Sequence, residues 1–115
     1  MKYALLIYHE EKEGEDRSQS DLTPWTEFSR EAQAYGRELA GAPLDSIRTA
    51  RVVSLRAGKA VVVDGPFAET KEQLCGYYLF DCASREEALK IASMIPMAKA
   101  GYIEVRPVVD FSNEG

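Results

Sequence analysis

Large side chains stand on both faces of the strand candidates in this sequence, and that limits what the chain can fold into. Along residues 102–108, Tyr102, Glu104 and Arg106 fall on one side, and Ile103, Val105 and Pro107 on the other. Along 76–82, Tyr78 and Phe80 oppose Tyr77 and Leu79, and along 2–8, Tyr3 and Ile7 alternate with Ala4, Leu6 and Tyr8. A sheet built this way must be covered twice. Helical spacing occurs in only two stretches, enough to cover one face, so the other must be solvated or meet a second sheet. Monomers seldom expose such a surface. The pattern therefore predicts a homodimer with its sheets facing each other and a ligand-sized cleft between them.

Thr23-Pro24 reads as an N-cap followed by proline at the first helical position. Trp25, Phe28, Ala32, Tyr35 and Leu39 then form one helical face, which Gly41 and Pro43 are expected to end. Ser84-Arg85-Glu86-Glu87 is a capping box for a second helix, with Ala88, Ile91, Ala92 and Ile95 inside and Pro96 as its stop. Residues 49–55 and 60–63 form a hairpin that turns at Gly58. Residues 9–21 (HEEKEGEDRSQSD) read as a solvated loop, His9 included. The predicted order is β-α-β-β-β-α-β. With one hairpin strand removed, it becomes the ferredoxin-like split βαβ plan.

The chain is one domain over residues 1–115. A net charge of −5 argues against a nucleic-acid binder, which needs surplus cations for phosphates. No apolar run approaches membrane-spanning length, and the first residues lack a signal-peptide pattern, so a cytoplasmic location is expected. Cys75 and Cys82, on opposite faces of one strand and about 23 Å apart, cannot pair. Nothing nearby activates either thiol. Two Cys and one His fall short of a zinc set, and no glycine loop suits a phosphate, so no metal or other cofactor is expected.

The densest chemistry lies in DGPFAETKE, residues 64–72. Asp64 can accept from backbone N–H groups, Gly65 before Pro66 ends the strand in a kink, and Phe67 anchors the loop by burying its ring. Glu69, Thr70, Lys71 and Glu72 add two acids, a hydroxyl and an ammonium. If Lys71 is partly desolvated beside Glu69 or Glu72, its proton affinity becomes tunable. Equally, the segment is a structural turn with a solvated ion pair. Arg106, with Glu104, could clamp a carboxylate or close an intersubunit bridge.

This nine-residue segment resembles the signature of the DGPF proteins, a branch of the YCII-related superfamily. The resemblance extends over MKYALLIY, the hairpin, GYYLFDCAS and EVRPV. It implies a ferredoxin-like α+β domain of the dimeric α/β-barrel type, with an undefined biochemical role. It also implies a link with extracytoplasmic-function sigma factors and transcription initiation, since relatives lie near or are fused to them. The His–Asp pair proposed for enzymes of the wider superfamily, with its His on the first helix, does not carry over. Residues 23–39 contain no His.

Two functions follow as expectations. One is a small-molecule binder or lyase- or isomerase-like enzyme in the dimer cleft. Asp64, Glu69 and Lys71 would be its reactive groups, and Tyr3, Phe67, Thr70, Glu72, Tyr78 and Arg106 its ligand contacts. The other is a non-enzymatic interaction module that docks on a sigma factor through the DGPF loop.

Overall fold

A computed structural model describes residues 1–12 and 22–111. The elements run β1 (Lys2–His9), α1 (Thr23–Ala32), β2 (Arg37–Pro43), β3 (Arg51–Arg56), β4 (Lys59–Asp64), β5 (Gln73–Asp81), α2 (Arg85–Met94) and β6 (Tyr102–Pro107). Short 3-10 turns cover Ile47–Thr49 and Pro96–Lys99. Of the loop expected over 9–21, residues 13–21 lie outside the described residues. Among the described residues, no helix is long and apolar enough to cross a membrane.

Four strands pair in the order β2-β5-β1-β6, all antiparallel. Strands β1 and β2 are thus parallel to each other with β5 inserted between them. This is the split βαβ arrangement, and the α+β architecture is consistent with a ferredoxin-like fold. Among the described residues the sheet stays open and closes no barrel.

The expected route to this plan needs correction. Residues 37–43 are a strand, and the helix ends at Ala32 rather than running to Leu39. The N–H groups of Tyr35 and Gly36 turn back onto the Ala32 carbonyl at 2.9 and 3.1 Å. Leu39 sits where the β2–β5 register shifts, so its helical spacing from Tyr35 is fortuitous. Gly41 ends no helix: a Cβ there would meet Tyr78 Cδ1 at 2.5 Å, so glycine lets that ring lie across β2. The second strand of the plan is therefore β2. Both hairpin strands, β3 and β4, pair only with each other among the described strands. Their turn places Ala57 and Gly58 at φ 52° and 78°, a region that suits glycine and strains alanine.

Helix α2 starts as expected: Ser84 Oγ accepts from the Glu87 N–H at 3.3 Å, and Glu87 returns a carboxylate to the Ala83 N–H. Both helices cover the sheet face bearing Tyr3, Leu5, Ile7 and Phe80, and their Phe28, Ala32, Ala88 and Ile91 complete the core. The opposite face carries Ala4, Leu6 and Tyr8 from β1, Tyr77 and Leu79 from β5, and Glu104 and Arg106 from β6. Among the described residues no element covers it as the helices cover the first.

Candidate functional site

The bend after β4 is open to solvent. Asp64, the last residue of β4, pairs across the hairpin with Arg51 at 3.2 Å, and its side chain is 89% exposed. The Gly65–Pro66 bond is cis, and the Gly65 N–H donates to the Ala50 carbonyl. Phe67 is 87% exposed, so it does not bury its ring as expected. The turn is held instead by polar contacts. Thr70 Oγ1 donates to the Glu72 carbonyl, and the Gln73 amide donates to the carbonyls of Ala68 and Thr70. Lys71 reaches Glu10 at 3.6 Å and is 71% exposed, rather than desolvated beside Glu69 or Glu72. Glu69 is likewise exposed.

Other candidates divide between the two sheet faces. Tyr3 and Tyr78 lie on the helix-covered face, opposite Phe80 and Leu5 respectively, so neither can wall a cleft between open sheet faces. Tyr3 is core, with its hydroxyl on Met1 Sδ. Arg106 is on the open face near Tyr8 and Glu104. There the Tyr8 hydroxyl donates to Glu104 at 3.3 Å. Its proton is held more tightly than usual, first by burial and then by the Glu104 charge, with Arg106 opposing.

His9 is buried in β1 opposite Gln73, not loop-borne. The thiols also depart from expectation: Cys75 and Cys82 are both buried in the core cluster, because the register shift beside Ile7 resets the alternation of β5. They form no disulfide. Burial pushes the Cys82 thiol up, and the Glu87 and Asp81 charges add to it, which makes it a poor nucleophile.

One concavity combines polar and apolar walls. A cavity of about 300 Å³ opens between α1 and the β2–β5 edge of the sheet. Trp25 and Tyr78 supply aromatic walls, their rings 6.3 Å apart at 28°. Ile7, Cys75 and Met97 close the apolar side. At the mouth, Ser29 Oγ donates to Glu38 Oε1 at 3.0 Å, and Thr26 is alongside. Phe28 braces Tyr78 from beneath at 5.1 Å. Burial raises the Tyr78 pKa, the Glu38 carboxylate raises it further, and the Ser29 hydroxyl opposes them. The phenol therefore stays protonated at neutral pH and can donate a hydrogen bond, while Glu38 can accept one.

Of the residues predicted from sequence, only Tyr78 belongs to this cavity. Trp25 had the right helical face but no assigned role. Ser29 and Glu38 escaped notice because they meet only once β2 is recognised as a strand. The alternation of Glu38 with small residues in RELAGAP was the available signal. Among the described residues no three of His, Cys, Asp and Glu gather as a metal site would need.

A YCII-related domain matches residues 1–112. The chain is also 41% identical over 117 residues to an uncharacterized protein of Rhizobium meliloti (strain 1021), covering 94% of this chain and 92% of that protein. With the match spanning nearly every residue of the α+β domain described above, the chain belongs to the YCII-related family.

Proposed function

We propose that this protein binds a small organic molecule in the cavity beneath α1 and can transfer a proton there. The observation that carries the reading is the make-up of the walls: two aromatic faces, an apolar floor, and a carboxylate and hydroxyls gathered at one end. Ligand sites share that composition. Tyr78 as donor and Glu38 as acceptor supply the acid and the base that a lyase- or isomerase-type step requires. The segment 64–72 supports membership of the DGPF branch. Two buried thiols without a disulfide fit a cytoplasmic protein.

In this reading two copies join through their open sheet faces, where Leu74, Tyr77 and Tyr102 are 39%, 39% and 68% exposed. Asp64, Glu69 and Lys71, with Thr70, Glu72 and Arg106, then border the joined surface as recognition or ion-pairing groups. The chain's single tryptophan, Trp25, reports on the cavity directly. A library of small aromatic and carbonyl compounds should contain members that change Trp25 emission and raise the melting temperature, with Tyr78→Phe retaining binding but losing turnover.

A second reading, an interaction module for a sigma factor, is favoured by the 87% exposure of Phe67. It displaces the first if no compound alters Trp25 emission while immobilised protein retains a sigma factor and Phe67→Ser releases it.

A further inference from the structure

The cavity beneath α1 carries charge of one sign. Its lining includes the Glu38 carboxylate and no Lys, Arg or His. Strand alternation sets Glu38 on the helix side, opposite Phe80, whereas Arg37 falls opposite Asp81 on the other side and lends its charge there. Among the described residues no Lys or Arg pairs with Glu38. The Ser29 hydroxyl occupies Oε1, which turns the carboxylate toward the mouth and leaves acceptor capacity on it.

The start of α1, beside the cavity, does little to offset that charge for an incoming anion. Pro24 has no N–H, and those of Trp25 and Thr26 donate to the Leu22 carbonyl at 3.1 and 3.0 Å. Trp25 and Tyr78 both line the cavity, and the face of an aromatic ring attracts a cation.

We infer that the ligand is a small organic cation, an ammonium or amidinium group on an apolar or aromatic body. The body lies against Trp25 and Tyr78, and the cation donates to Glu38. This rests on the proposal that the cavity binds a ligand at all, and adds its chemical class. Anionic metabolites, phosphates and carboxylates included, meet a carboxylate and no cation within the cavity, since Arg37 lines only the adjoining concavity that shares Ser29 and Glu38.

Three probes of one size test the inference by calorimetry and Trp25 emission: 2-phenylethylamine, 2-phenylethanol and phenylacetate. The amine should bind roughly fivefold tighter than the alcohol, as an ion pair at a half-open mouth provides, and phenylacetate should be weakest. Glu38→Gln should bring the amine to the level of the alcohol. Glu38 is exposed on an edge strand, so that variant should keep its circular dichroism spectrum. If phenylacetate binds as tightly as the amine, or if the amine keeps its advantage in Glu38→Gln, the cationic ligand is refuted while a binding cavity stands. If none of the three produces heat or changes Trp25 emission, both proposals fall.

Discussion

The bend at 64–72 and the cavity beneath α1 are opposites. The bend packs two acids, a hydroxyl and an ammonium into residues 69–72, yet Glu69, Thr70 and Lys71 are exposed, Lys71 reaching Glu10, and Asp64 before them is an exposed partner of Arg51. The cavity draws Trp25 and Ser29 from a helix, Glu38 from an edge strand and Tyr78 from a central strand, and only Tyr78 stands out in sequence as a ligand contact. Polar residues adjacent along a chain are often adjacent because a loop tolerates them. A site needs walls, and walls come from different elements. What distinguishes the two regions physically is desolvation: the Tyr78 pKa is raised by burial, while Asp64, Phe67, Glu69 and Lys71 of the bend are exposed.

The sharpest way to test that contrast uses two phenylalanines. Phe28→Ala, beneath the cavity, should cost about 3–5 kcal/mol in denaturant unfolding, the usual loss for a buried ring. Phe67→Ala, on the bend, should stay within about 0.5 kcal/mol. A loss above roughly 1.5 kcal/mol at Phe67 would mean that something packs on the bend, a second copy included, and would weaken the contrast.

For binding, Trp25→Ala should weaken a cavity ligand by tenfold or more. Lys71→Ala and Asp64→Asn should each change that affinity less than about twofold. The reverse ranking in a titration would move the site to the bend.

A smaller effect concerns alkaline pH. Tyr78 holds its proton more tightly folded than unfolded, so its contribution to stability is complete below the ordinary tyrosine value and is lost as pH rises through the folded one. Tyr78→Phe should therefore flatten the alkaline fall in stability and remove one late-titrating phenol from the absorbance curve near 295 nm. An unchanged curve would place the Tyr78 hydroxyl in water.

The least effect is expected from breaking the surface pairs. Arg51→Ala or Lys71→Ala should cost less than about 1 kcal/mol, because each joins two exposed groups.

Much of this architecture is legible in the residues. The alternation of β1, β5 and β6 separates Tyr3 from Ala4 and Tyr77 from Tyr78, and Ser84 with Glu87 marks the start of α2. Strand β2 is not legible. Its glycine, alanines and proline have poor strand propensity, and Leu39 continues the helical spacing by coincidence. Only pairing with β5 makes it a strand, and pairing is a long-range property. The cavity was hidden for the same reason, since Glu38 reaches Ser29 only through β2. The shared burial of the two thiols is not legible either, because alternation does not encode the register shift beside Ile7. For Phe67, an aromatic ring in a turn predicts burial, but among the described residues no apolar surface covers it and it stays 87% exposed.

A chemical-shift map of isotope-labelled protein titrated with 2-phenylethylamine tests the central claim most directly. Shifts should concentrate on the Trp25 indole, the Gly41 amide, the Tyr78 ring and the Met97 methyl, with residues 64–72 unmoved. Shifts gathered on Asp64, Phe67 and Lys71, with the Trp25 and Met97 signals unmoved, would contradict it.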